Sequence, residues 1–181
     1  MGAGGAVVIG VAVVINMLQR IVVLVGLPGS GKSTYLRERC LPALSSDALR
    51  EILADNEDDQ TIHREVFATL RYLLRQRLRI GRPVTYVDAT HLSPAQRRPY
   101  IRMAERYGCR AEAIFFDVPV EECKRRNRSR NRVVPDEVID QMAAQMRSPA
   151  RAEGFSNVRV VRFRPPQGHR AVPPQQRRDE R

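Results

Sequence analysis

The sequence predicts an α/β fold, a parallel sheet covered by helices on both faces. Three observations predict it. An aliphatic run over residues 21–25 passes straight into a glycine-rich turn and then a helix, the strand–loop–helix unit of a phosphate site. Short apolar segments alternate with helical ones along the rest of the chain, the pattern of parallel strands joined by crossover helices. Carboxylates, Asp47 and Asp88, follow two of the apolar segments, and in such sheets ligands bind beyond the carboxyl ends of the strands.

The turn reads GLPGSGKST over residues 26–34, with the G-x-x-x-x-G-K-S spacing of a phosphate-binding loop (P-loop). Gly26, Gly29 and Gly31 let backbone N–H groups converge on an anion, and the helix that follows presents its positive end. Gly26, Leu27, Pro28, Gly29, Ser30, Gly31, Lys32, Ser33 and Thr34 are therefore the candidate nucleotide-binding residues. Lys32 is placed to reach the β- and γ-phosphates of ATP, and Ser33 to ligate Mg²⁺. The plain alternative is a chance glycine turn, against which the flanking strand and helix stand. Of 31 basic residues only Lys32 and Lys124 are lysines, and a compact ammonium fits between phosphate oxygens where a planar guanidinium does not.

The elements follow in order. Residues 32–39 continue as a helix, and 41–45 form a second strand. A helix opens at 46–50, with Ser46 or Asp47 near its cap. The acidic stretch 55–59 is a loop. Residues 61–80 form an amphipathic helix with Val66, Leu70, Leu73, Leu74 and Leu78 on one side, and Gly81 and Pro83 stop it. Residues 84–88 are a strand, 94–107 a helix closed by Gly108, and 111–116 a strand. A helix covers 120–126, a loop 127–134, and Pro135 starts a helix over 136–146. A last strand covers 158–163.

Several side chains are candidates for chemistry. Asp88 ends an apolar strand and is a second candidate for Mg²⁺ beside Ser33; otherwise it caps the segment that follows. Asp47 is a candidate general base for a hydroxyl acceptor; otherwise it is an ordinary helix cap. Arg50, three residues on, shares its helical face and grips an acceptor phosphate or forms a surface ion pair. The basic run KRRNRSRNR over 124–132 reads as an arginine-rich lid that closes over ATP and excludes water, or as a solvated basic face or nucleic-acid patch.

The chain of 181 residues is long enough for one domain with a real core. The domain is expected over 17–163. A net charge of +11 favours phosphate-rich partners such as nucleic acid, although an arginine-rich coding bias gives the same excess. The apolar run 6–15 is shorter than the roughly 20 residues a membrane span needs, so no stable membrane association is expected. Residues 1–16 are expected to be an extension upstream of a start at Met17. Residues 164–181 have no periodicity and are expected to form a disordered basic tail. Cys40, Cys109 and Cys123 lack metal spacing and suit reduced thiols in the cytoplasm.

With these pieces placed, the chain resembles the 5′-hydroxyl polynucleotide kinases, and within them the kinase domain of bacterial polynucleotide kinase-phosphatase. The segments that carry the resemblance are GLPGSGKST at 26–34, SSDALR at 45–50, VDAT at 87–90 and CKRRNR at 123–128, with DNEDDQ at 55–60 and AERYGC at 104–109 between them. It runs over residues 21–161. It implies that Lys32 and Ser33 bind ATP and Mg²⁺, that Asp47 activates the 5′-hydroxyl, and that Arg50 contacts the acceptor's phosphate. It further implies that Arg126 is the lid arginine that reaches ATP and that Asp88 opens a D-A-T-N motif. His91 stands where that motif has Asn, and the lid continues differently through 131–135. No phosphatase or ligase module follows, so a free-standing kinase is expected. The expected function is transfer of the γ-phosphate of ATP to a hydroxyl, the 5′-OH of DNA or RNA first. A small-molecule acceptor (nucleoside, antibiotic or sugar) and a non-catalytic ATP-binding module are the rivals.

Overall fold

The computed structural model describes residues 19–130 and 132–164. The expected upstream extension with its Met17 start, and the tail beyond Arg164, lie outside them. The strands are β1 (Arg20–Val25), β2 (Ala43–Ser45), β3 (Val84–Asp88), β4 (Arg110–Asp117) and β5 (Asn157–Arg162). They form one sheet in the order β2-β3-β1-β4-β5, every neighbouring pair parallel. The helices are α1 (Lys32–Glu38), α2 (Ser46–Ala54), α3 (His63–Arg79), α4 (Pro94–Tyr107), α5 (Val120–Asn127) and α6 (Asp136–Gln145).

β1 is aliphatic throughout because both its faces are covered. Ile21, Val23 and Val25 pack with Val66, Leu70 and Leu74 of α3 and Tyr100 of α4. Val22 and Leu24 turn the other way, against Leu36 of α1, Ile114 and Phe116. A third cluster of Leu27, Leu92, Val118, Cys123 and Ile139 ties α5 and α6 to the carboxyl edge of the sheet. The expected α/β P-loop architecture is thus the one observed. Among the described residues no helix is long and apolar enough to cross a membrane.

Element boundaries move where side chains or chain ends intervene. β2 begins at Ala43 rather than 41, because the N–H of Leu41 is taken by Leu36 O at 2.9 Å. The cap of α2 is neither Ser46 nor Asp47 but Ser45, whose Oγ accepts from Ala48 N at 3.4 Å. Asp47 therefore sits inside the first turn. Pro135 is the cap residue of α6 and not part of its first turn. α6 ends at Gln145 because Met146 is extended (φ −67°, ψ 130°).

The helix α4 carries a side chain that its polar neighbours do not foreshadow. Arg97 is 0 % exposed. Its Nε and Nη2 donate to the two oxygens of Glu153 at 2.8 and 2.6 Å. Its Nη1 donates to the carbonyls of His91, Leu92 and Arg147 at 3.0, 3.1 and 2.9 Å. One guanidinium thus joins the turn after β3 to the segment after α6. Removing it leaves the half-buried Glu153 carboxylate with only Ala150 N as donor, and the carbonyls of His91 and Arg147 with none among the described residues. Arg97→Ala should cost about 3–5 kcal/mol, and Arg97→Lys should recover little because an ammonium cannot serve five acceptors in a fork. Urea denaturation checks this, and a loss below about 1 kcal/mol would mean that water satisfies the vacated groups.

Candidate active site

The P-loop follows β1 and wraps the start of α1. Gly29 has φ +77°, and a Cβ on it would stand 2.2 Å from the carbonyl oxygen of Cys123 in α5. Gly31, at φ +95°, is the cap residue of α1, a left-handed position that only glycine takes without strain. Lys32 is buried, and its Nζ donates to Gly26 O at 2.9 Å and Leu27 O at 2.8 Å. Burial pulls its ammonium below the usual lysine range, with Asp88 opposing that shift.

Ser33 Oγ donates to Asp88 Oδ2 at 2.9 Å. The carboxylate of Asp88 thus turns toward the P-loop rather than capping the next segment. Burial raises the Asp88 carboxyl above its ordinary range, against the pull of Lys32 and the Ser33 hydrogen bond. Sheet register pairs Ser45 with Asp88, which brings Asp47, two residues past Ser45, to the same edge. Ser33, Ser45, Asp47, Asp88 and Arg130 line one open cleft of about 720 Å³.

Two arginines hold Asp47 by the same oxygen. Arg50 Nη1 and Arg132 Nη1 each donate to Oδ1 at 2.8 Å. Oδ2 accepts no hydrogen bond among the described residues. Arg50 is 5 % exposed, so this is not the surface ion pair of the plain reading, and its Nε is buried without a partner. Arg132 also pairs through Nε with Asp58 Oδ1 at 2.7 Å. Sequence reasoning missed Arg132. Nothing local separates it from the neighbouring arginines, and its partners lie far away in the chain.

The basic segment starts on α5. Glu122 accepts from Arg125 at 2.7 Å through both Nε and Nη2, and from Arg126 Nε at 2.6 Å. These arginines, Arg125 foremost, hold its carboxyl down to about 2. Arg126 Nη1 lies over the P-loop, 3.8 Å from where a Cβ on Gly31 would be. Asn127 is fully buried and bonds Val134 twice, Nδ2 to its O at 2.7 Å and Oδ1 from its N at 3.2 Å, closing the segment between them into a ring. Arg128 pairs with Asp136, and Lys124 with Glu121 and Asp140. The structure thus brings Arg126 and Arg130 to the P-loop and cleft, and Arg132 to Asp47.

Among the described residues no group of three His, Cys, Asp or Glu side chains converges as a metal cage. Mg²⁺ does not need one: it takes one or two protein oxygens and completes its shell with water and phosphate. The hydroxyl of Ser33 and the carboxylate of Asp88, in mutual contact, are an oxygen-only donor set that fits it.

His91, three residues past Asp88, is buried at φ +48°. This left-handed position is one that Asn and His tolerate better than most residues. Its Nδ1 lies 2.9 Å from Leu24 O. A carbonyl only accepts, so Nδ1 carries the proton and Nε2 is a lone-pair acceptor, enclosed and without a partner among the described residues. Burial pushes the ring's pKa down to about 4.

Residues 21–149 match the family model described as AAA domain. Among solved structures, a chain of the Pnkp1/Rnl/Hen1 RNA repair complex superposes with a TM-score of 0.62 at 21% identity, over 71% of this chain and 44% of that one. The present chain thus spans under half the length of that chain. A putative kinase from Chloroflexus aurantiacus gives a TM-score of 0.60 at 16% identity, over 81% of this chain and 89% of that one. A gluconokinase from Sinorhizobium meliloti gives 0.54 at 17% identity, over 83% and 86%. At these identities the likeness is one of fold, the P-loop fold of nucleotide-binding kinases.

The His91 ring makes a pH prediction. Its ordinary pKa is about 6.5, so between pH 6.5 and 4 the unfolded chain binds a proton that the folded chain refuses. Stability is therefore full above pH 6.5 and falls as pH drops toward 4, by about 3 kcal/mol from this group. His91→Asn, which suits the left-handed backbone and does not titrate, should lose that part of the slope. Unfolding free energies of both proteins at pH 7.5 and pH 4.5 check this. Equal pH dependences would mean that His91 is solvated in the folded protein.

Proposed function

The chain belongs to the AAA domain family, and from that premise we propose that it is an ATP-dependent kinase of 5′-hydroxyl nucleic-acid ends. The observation that carries this reading is the state of Asp47. Its Oδ1 is held by Arg50 and Arg132, its Oδ2 accepts nothing among the described residues, and it opens into one cleft with Ser33 and Asp88. A carboxylate so oriented takes the proton of an acceptor hydroxyl as that oxygen bonds to the γ-phosphorus and the bond to ADP breaks.

The other residues supply position and charge. The backbone of residues 26–34 cradles the phosphates, and Lys32 neutralises charge on the transferring group. Ser33 and Asp88 would hold Mg²⁺, which would supply positive charge against the phosphates. Arg126 lies over the P-loop, where it meets the phosphates of ATP and excludes water. Arg50, with its buried unpartnered Nε, takes the phosphate that follows the acceptor nucleotide. The acceptor class is supported by the open cleft, the charge of +11 and the likeness to a chain of an RNA repair complex. The likeness to a gluconokinase supports a second reading, a small hydroxyl compound as acceptor.

Transfer of labelled γ-phosphate from ATP to a short 5′-OH oligonucleotide tests the proposal. Asp47→Ala should lower kcat by roughly 10²–10⁴, and Lys32→Ala should nearly abolish transfer. A loss below tenfold in the folded Asp47 variant would remove Asp47 as the base. The acceptor class has its own readout. For a single strand, log K should fall with log salt by about 0.7 per phosphate contacted, whereas a neutral sugar should show no such slope.

A further inference from the structure

A second cavity, of about 310 Å³, lies between α3 and α4 past the carboxyl end of β3. The reaction above does not use it. Phe67, Pro99 and Tyr100 give it apolar walls, and Thr90 and His91 line it from the turn after β3. The turn is tied to the P-loop, since Thr90 O accepts from Gly26 N at 3.1 Å.

Three features of this cavity describe a ligand. First, Arg64, Phe67 and Arg71 stand at i, i+3 and i+7 on α3, hence on one helical face. Neither guanidinium makes a side-chain hydrogen bond or ion pair among the described residues. A ring between two unpaired cations suits a flat group flanked by negative charge. Second, the walls hold rings at right angles: His91 meets Tyr100 at 4.9 Å and 85°, and Phe67 at 6.4 Å and 81°. Third, His91 lines the cavity with its Nδ1 spent on Leu24 O, which fixes the ring as part of the wall. A non-glycine residue at φ +48° is unfavourable, and such features gather where ligands bind.

We propose that this cavity receives a nucleobase of the acceptor strand, with the flanking phosphates on Arg64 and Arg71. The proposal rests on the polynucleotide reading above and extends it to a subsite away from the reacting hydroxyl. Every base has a π-face for Phe67, so the subsite senses the presence of a base rather than its identity. Stacking and backbone charge are how single strands are held without sequence preference.

The test is an abasic scan of a short 5′-OH oligonucleotide, read by fluorescence anisotropy without ATP and by labelled transfer with it. One abasic position should weaken binding to the wild-type chain by about tenfold or more. Phe67→Ala should bind the intact strand as weakly, with no further loss at that position. The double variant Arg64→Gln, Arg71→Gln changes no buried core residue and should flatten the salt slope by about 0.7 for each phosphate released. A flat scan, or an abasic loss that persists in Phe67→Ala, with transfer to the oligonucleotide intact, would overturn the subsite and leave the kinase reading standing. An oligonucleotide that is neither bound nor phosphorylated would end both.

Discussion

The carbonyl oxygen of Cys123 occupies the space that any side chain on Gly29 would need. That single close approach fixes the relation between the P-loop and α5. It holds the loop's backbone against a helix whose far end carries the basic segment, and Cys123 itself is fully buried in the cluster of Leu27, Val118 and Ile139. The loop cannot be displaced without the helix, nor the helix without the loop. From this contact the path runs through Asn127 to the ring it closes, and through Arg132 to Asp47 and Asp58. The P-loop, the basic segment and Asp47 are one mechanical unit.

Charge in that unit is unevenly spent. Glu122, Asp136, Asp140 and Asp58 absorb much of the basic segment. Lys32 is held by carbonyls, which orient it without cancelling its charge. Asp47 and Asp88 face Lys32, Arg50 and Arg132, and Arg130 lines the same cleft. Desolvation in such a place is costly for each isolated ion, and an arriving polyphosphate is the group that would repay it.

Most of the architecture was legible because it rests on local regularities. The aliphatic run of β1, the spacing 66, 70, 74, 78 along α3, and the Gly108 stop of α4 each encode their element within a few residues. So did the meeting of Asp47 and Asp88, since parallel strands bring their ends to one edge. What stayed hidden is non-local. Arg132 reaches Asp47 across a large span of sequence. Arg97 sits in a helix of polar composition and looks like a solvated charge until the distant Glu153 and Arg147 carbonyl join the nearby carbonyls of His91 and Leu92 around it. His91 showed only as a departure from Asn in a motif. Its left-handed backbone and its lone acceptor need Leu24 and Tyr100 in place before they mean anything.

The double hydrogen bond between Asn127 and Val134 has an evolutionary consequence. By joining entrance to exit, it separates the residues between them from the register of α5 and α6. The entropy of closing such a ring grows only with the logarithm of its length, about 0.6 kcal/mol for each doubling. Residues can therefore be gained, lost or recoded there at small cost to the fold. The segment is anchored again where Arg128 meets Asp136 and Arg132 meets Asp47 and Asp58, so the freedom belongs to the residues around those two arginines.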